Sequence, residues 1–205
     1  MRPVNELPRD GHAPAGRRER KKARTKAAIQ HEALRLFRQK GYDKTTMEEI
    51  AEAADVSAST LFRHFSSKEA LVLTDEYDPL IIEACRSQPA ELGPVEAIRR
   101  GIRDIFEHVS KETLADMRDR AALAVSVPDL RAAMLDQLAQ AVRDLTGVVA
   151  ERAGQPRDDF AVATLAGAVL GVMLSAELYW VEHPGTDLFA LIDEALGRLE
   201  GGLTL

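Results

Sequence analysis

Between Arg17 and Gly201 apolar side chains recur at intervals of three and four, and nowhere do they alternate with polar ones for long enough to build a sheet. That spacing puts apolar groups on one stripe of a helix, so the chain can bury its hydrophobic surface only by stacking helices on one another. Ile29, Ala33, Leu36 and Phe37 make the first stripe, in a helix from about Arg17 to Lys40 that Gly41 stops. Val95, Ile98, Ile102, Ile105, Phe106 and Val109 make a second; Leu130, Met134, Leu138, Leu145 and Val149 a third; Leu188, Leu191, Ile192, Ala195 and Leu199 a last. Phe160 to Trp180 is apolar nearly all round, which predicts a central helix buried on every side. The expectation is an all-α fold of about nine helices.

Local signals place the helix ends. Thr46 and Glu49 form a capping box that opens a helix running to about Ala54. Asp55 and Val56 make a turn, and Ser57 caps a third helix over about Ala58 to His64. Ser67 caps a fourth, from about Lys68 to Arg86, in which Pro79 removes a backbone donor and predicts a kink or break near Asp78. Later helices are expected to open at Pro94, near Glu112, at Pro128 and at Pro156; Thr186 should cap the final one, which Gly201 and Gly202 end. Residues 1–16, with Pro3, Pro8 and Pro14 and few apolar groups, read as a disordered arm.

The charge is divided along the chain. The whole carries −6, yet residues 1–70 hold 15 Lys/Arg against 10 Asp/Glu, and the remainder 12 against 23. Arg17 to Lys44 is more basic still, at 11 to 3. Such asymmetry suggests a polyanion-binding head on an acidic body, or a solvated basic helix face. A single cysteine, Cys85, excludes an internal disulfide and a multi-cysteine metal centre, and points to a reducing compartment. The uncharged run from Ala161 to Ala176 falls short of the roughly 20 residues that a membrane span needs. No apolar leader stands at the start, so a cytoplasmic protein without membrane contact is expected. His108, His183, Glu177 and Tyr179 are available for chemistry, but no nucleophile–base spacing, metal motif or phosphate loop accompanies them, which argues against an enzyme.

Residues 46–65 read TMEEIAEAADVSASTLFRHF: two short helices joined by a tight turn, the second opening with small polar residues. A helix-turn-helix is built this way, because small residues let the second helix approach base edges while hydroxyls and N-terminal N–H groups meet phosphates. Gly41, Thr46, Ile50, Ala51, Val56, Ser57, Thr60, Leu61, Phe62, His64, Phe65, Lys68 and Glu69 closely resemble the head of the TetR family of bacterial regulators, over about Arg20 to Leu73. Asp55 stands where that family usually has a turn glycine, and Phe62 where it often has tyrosine, losing that hydroxyl. The resemblance implies a three-helix DNA-binding head over 17–70 and a helical body for ligand binding and dimerisation over 71–205. It turns Ser57, Ser59, Thr60, Phe62, Arg63, His64 and Lys68 toward DNA, with Thr46 anchoring the second helix. Arg63 is the best candidate for bidentate recognition of guanine. His64 would meet phosphate or cap its own helix, and Arg17 to Lys26 would add charge from the arm and first helix.

The resemblance also implies a homodimer formed by the last two helices, a near-palindromic operator, and repression relieved by a small-molecule inducer. Ala163, Gly167, Gly171 and Ser175 form a column of small residues that admits a close backbone, in a partner or in the same subunit. The strings around Asp75–Leu80, Ser87–Leu92 and Val127–Arg131 are similar to the mycofactocin-type subgroup, whose body implies an acyl-CoA-like effector and no resident cofactor. Ile102, Phe106, Met117, Leu138, Leu170, Leu174 and Trp180 are candidates to line an apolar tunnel, or else ordinary core. Arg99, Arg100 and Arg103 would meet a carrier's phosphates or form a solvated face.

Overall fold

The computed structural model describes residues 17–74, 77–107 and 109–203, with backbone alone for 17–20. The expected arm over 1–16, Asp75, Glu76 and His108 lie outside the described residues. Within them the chain is all helical, without strands: α1 (Arg17–Lys40), α2 (Met47–Ala53), α3 (Ala58–His64), α4 (Lys68–Leu73), α5 (Asp78–Ser87), α6 (Pro94–Phe106), α7 (Lys111–Ser126), α8 (Pro128–Ala153), α9 (Phe160–Glu182) and α10 (Leu188–Glu200). The break expected near Asp78 divides the fourth segment into α4 and α5, with Pro79 in the first turn of α5 where its missing N–H is no loss.

Two helix starts differ from expectation. Pro156 lies in a turn, and Asp159 caps α9 by accepting from the N–H groups of Ala161 at 2.7 Å and Val162 at 3.2 Å. Thr186 donates its hydroxyl to the His183 carbonyl, while Asp187 caps α10 by accepting from Phe189 at 2.8 Å and Ala190 at 3.0 Å. In both places a carboxylate prevails because it accepts two orphan N–H groups and complements the positive end of the helix dipole.

The chain divides into two compact units, Met1–Leu71 and Val72–Leu205. In the first, Ile29 and Ala33 of α1, Ile50 of α2, Leu61 of α3 and Leu71 of α4 are wholly buried, so the apolar stripe of α1 is the floor on which the short helices rest. Gly41 ends α1 with a left-handed φ of 87°.

In the second unit α5 packs against α6, and α9 lies between α8 and α10. The α5–α6 approach depends on Gly101, where a Cβ would lie 2.8 Å from the Cys85 backbone nitrogen. Cys85 is fully buried there, and burial pushes its thiol up to about 12. Ile98, Val148, Ala166, Val169 and Leu196 form the floor of this core.

The prediction that α9 is buried on every side is corrected. Val162, Ala166, Val169, Ala176 and Trp180 face inward, but Phe160 is 85% exposed and Tyr179 48%. Only 22% of its most apolar stretch is covered, and this helix of 23 residues is long and apolar enough, by length and composition alone, to cross a membrane. A Cβ added at Gly167 or Gly171 would meet nothing within 4 Å among the described residues, so those glycines do not serve packing between the described helices.

Candidate functional site

The capping box at Thr46 forms as its residue types dictate. The Thr46 hydroxyl accepts from the Glu49 N–H at 3.2 Å, and the Glu49 carboxylate from the Thr46 N–H at 3.1 Å. Lys40 donates to the other Glu49 oxygen at 2.6 Å, which with the Thr46 N–H holds that carboxyl below its ordinary pKa. The exposed Thr46 hydroxyl keeps its own proton to donate, as the anchoring role requires.

The turn that follows sets the crossing of α2 and α3. Asp55 adopts φ 52°, the left-handed conformation that Asp tolerates better than most residues. Val56 donates its N–H to the Ala51 carbonyl at 3.0 Å, and Ser57 caps α3 by accepting from the Thr60 N–H at 3.2 Å. The Ser57 hydroxyl oxygen also lies 3.0 Å from that of Ser59 and 2.9 Å from that of Thr60. A cluster of small hydroxyls thus surrounds the N-terminus of α3, where the helix dipole attracts anions.

Beyond that start, α3 has two opposite faces. Leu61 and Phe65 are buried, at 0% and 1% exposure. Ser59, Phe62 and Arg63 are exposed, and Phe62 offers 48% of its surface. Arg63 makes no hydrogen bond or ion pair among the described residues, leaving its guanidinium fork open. His64 is partly buried, and its imidazole is held below its ordinary pKa first by burial, then by the charges of Arg63, Lys22 and Lys26. Basic groups of α1 and α3 therefore converge on one edge of the first unit.

Lys68 is placed differently from the sequence reading. Its ammonium donates to the carbonyls of Tyr42 at 2.9 Å and Thr45 at 3.3 Å, and lies 4.3 Å from the centre of the Tyr42 ring. It is held inside the first unit rather than offered to a duplex, because three carbonyls and a ring face lie within its reach. Tyr42, the buried platform for this contact, was not singled out from the sequence. No local pattern marks a residue whose partner is 26 positions away.

The candidate tunnel residues do not converge. Ile102 and Phe106 line an open cleft of about 520 Å³ between α6 and α10, with Phe189 stacked on Phe106 at 4.3 Å. Leu174 lines a separate hollow of about 30 Å³ among α7, α8 and α9. Trp180 is core, Met117 packs against that core, and Leu138 and Leu170 are partly buried outside both spaces. Helical periodicity shows that such residues face inward, not which inter-helix space each one meets. The arginines of α6 are neutralised within the fold: Arg99 donates to Asp193 at 2.8 Å, Arg103 to the same carboxylate at 2.6 Å, and Arg100 to Glu96 at 2.6 Å. They form a solvated, paired face. Asp193 is held below its ordinary pKa chiefly by Arg99.

Comparison with known proteins places both units. Residues 29–74 match the model of bacterial regulatory proteins of the tetR family, and residues 92–204 that of the MftR C-terminal domain. The transcriptional regulator TcmR of Streptomyces glaucescens is 34% identical over 188 residues, covering 86% of this chain and 81% of that protein. The mycofactocin biosynthesis transcriptional regulator MftR of Mycobacterium tuberculosis is 26% identical, covering 90% and 93%. The crystal structure of FadR from Thermus thermophilus, a TetR-family repressor in complex with lauroyl-CoA, superposes with a TM-score of 0.55 at 26% identity, covering 88% of this chain and 95% of that one. These relatives and family models are regulators of transcription, not enzymes.

Proposed function

The chain belongs to the TetR family of transcriptional regulators, and from that premise we propose that it is a cytoplasmic homodimeric repressor released from a near-palindromic operator by a small apolar or acyl-CoA-like effector. One observation carries the reading: α3 and its C-terminal cap bury Leu61 and Phe65 while the helix presents Ser59, Phe62 and Arg63 to solvent. A helix packed only for stability has no use for an exposed aromatic beside an unpaired arginine. A major groove has a use for both, the guanidinium for a guanine edge and the ring for a thymine methyl.

The head comprises residues 17–70 and its helix-turn-helix residues 46–65. Ser57, Ser59, Thr60 and His64 contact phosphates, Thr46 anchors α2, and Arg63 reads a base. Residues 71–205 are the effector and dimer body. The open face of α9 supports dimerisation: it is apolar, carries Gly167 and Gly171 with empty space before them, and finds no cover among the described residues. Two-fold pairing sets the recognition helices on half-sites about 34 Å apart, one turn of DNA.

The effector class rests on the match to the MftR C-terminal domain and on the likeness to a repressor that binds lauroyl-CoA. α4 carries the chain from the first unit into the second, so its tilt is the natural lever between effector and DNA. A ligand that prefers the released spacing shifts the equilibrium by roughly 1–3 kcal/mol, the usual size of allosteric coupling.

The test is a fluorescence-anisotropy titration of labelled duplex from upstream of the chain's own gene, repeated at rising salt. Saturable binding by a dimer, weakening steeply with salt, is the expected result. Salt-independent or absent binding to that duplex and to its neighbours overturns the reading.

A further inference from the structure

Three of the partly buried arginines in the second unit are matched by acceptors. Arg99 donates to Asp193, Arg120 to the Thr74 carbonyl, and Arg152 through its Nη groups to the carbonyls of Cys85 and Gln88, although its Nε–H is enclosed without an acceptor. Arg118 of α7 is not matched. It has no acceptor and no carboxylate partner among the described residues, and its Nε–H is completely enclosed without one. Its guanidinium carbon lies 4.4 Å from the ring of Trp180, a buried residue of α9. The indole face attracts the cation but gives the enclosed Nε–H no acceptor. An enclosed donor of that kind costs free energy in every folded molecule, and such a group calls for a reason.

The surroundings supply one. Ala121 and Ala124, one and two turns further along α7, form with Met134 of α8 and Leu174 and Leu178 of α9 the wall of the apolar hollow of about 30 Å³. Small side chains on α7 and flexible ones opposite let this wall yield to an entering chain. Glu177 is the acidic residue of that wall, and it disfavours an anion deep in the hollow. The positive charge lies at Arg118, one turn before Ala121.

We infer that Arg118 is the residue that selects an anionic effector. It pairs with the carboxylate or phosphate of an amphiphile whose apolar chain enters between α7, α8 and α9, past Met134 and Leu174. The inference rests on the apolar-effector reading given above and adds to it a required charge and the residue that meets it. A bidentate acceptor fits the planar guanidinium without displacing it from the indole.

Trp180 is the only tryptophan in the chain, so its emission reports directly on the cation above it. Full-length protein, as wild type, Arg118→Met and Arg118→Lys, is titrated with dodecanoate, dodecyl phosphate and 1-dodecanol, each below its micelle concentration. Tryptophan emission and operator release are followed together. In the wild type at least one anion binds about tenfold or more tighter than the alcohol, the factor a charge-assisted hydrogen bond supplies. Whichever anion does so identifies carboxylate or phosphate as the group read. Arg118→Met brings that anion to the alcohol's affinity while leaving ligand-free operator binding unchanged; Arg118→Lys keeps most of the preference. If Arg118→Met fails to fold, as judged by far-ultraviolet circular dichroism, the lysine variant and the wild-type comparison decide. Equal affinities for alcohol and anions in the wild type, or undiminished anion binding by Arg118→Met, overturn the inference and leave the apolar-effector reading standing. No response to any of the probes overturns both.

Discussion

The Lys68 ammonium lies 4.3 Å from the centre of the Tyr42 ring and donates to the Tyr42 carbonyl at 2.9 Å. It fastens the start of α4 to the segment joining α1 and α2, a cation–π contact reinforced by charge-assisted hydrogen bonds. Lys68→Met keeps the stem and removes the charge. It should destabilise the first unit by about 1–2 kcal/mol, read as a lower denaturant midpoint by circular dichroism. Operator affinity measured on folded protein should change little. A variant of full stability that binds DNA poorly would return Lys68 to the DNA-facing set.

Arg63 provides the opposite test, since nothing among the described residues holds it. Arg63→Ala should leave the unfolding midpoint unchanged and weaken specific operator binding by about 1–3 kcal/mol. Affinity for random duplex should fall much less. Arg63→Lys, which cannot bridge two acceptors of a guanine, should recover only part of the loss. Equal losses on operator and random DNA would show that Arg63 contacts phosphate and not a base.

If His64 faces a DNA phosphate, as proposed, operator binding depends on pH in a definite direction. Burial and the neighbouring Arg63, Lys22 and Lys26 depress its pKa, so the native head holds the imidazole neutral more firmly than the unfolded chain does. The head is therefore fully stabilised above the ordinary imidazole pKa and loses stability as pH falls below it. A DNA phosphate opposite His64 reverses the electrostatics and favours the imidazolium, so binding takes up a proton. Operator affinity at constant ionic strength should rise as pH falls from about 7.5 to 6. His64→Gln should flatten that slope; an unchanged slope in the variant removes His64 from the phosphate contacts.

The sequence made local structure legible and left long-range partnerships obscure. The capping box at Thr46, the left-handed Asp55, the Ser57 cap and the inward Phe65 follow from residue types within a few positions of one another, and each lies where that chemistry puts it. The starts of α9 and α10 differ from the expected Pro156 and Thr186 because two cap candidates stand close together at each, and the carboxylates of Asp159 and Asp187 prevail. Lys68 on Tyr42 and Arg118 over Trp180 join residues far apart in the chain, and no periodicity announces them. The hydrophobicity of α9 shows that the helix needs cover, but not that its own chain supplies it.

Gly101 tests how tightly the second unit is built. A Cβ there would stand 2.8 Å from the Cys85 nitrogen and 3.0 Å from the Ala84 carbonyl carbon, backbone atoms that cannot rotate away. Gly101→Ala must push α5 and α6 apart, and the strain should exceed the helix-propensity gain of alanine over glycine. The expected cost is about 1–3 kcal/mol, seen as a lower thermal midpoint of the second unit. A neutral or stabilising effect would mean that the two helices separate freely.

Gly171 tests the reverse condition, because a Cβ there would meet nothing within 4 Å among the described residues. Leucine at this position adds apolar surface, improves helix propensity over glycine and meets no obstacle at its Cβ among the described residues. If α9 pairs with α9 of a second copy across this column, however, Gly171→Leu inserts a branched side chain where two backbones approach, and the interface must open. Sedimentation velocity should then show the wild type as a dimer and the variant as a monomer of unimpaired helicity. Operator affinity falls with it, because one head alone reaches one half-site and loses the gain from linking two. A Gly171→Leu protein that still sediments as a dimer and binds operator normally would move the interface away from this face of α9. The exposed Phe160 and Tyr179 would then need another cover.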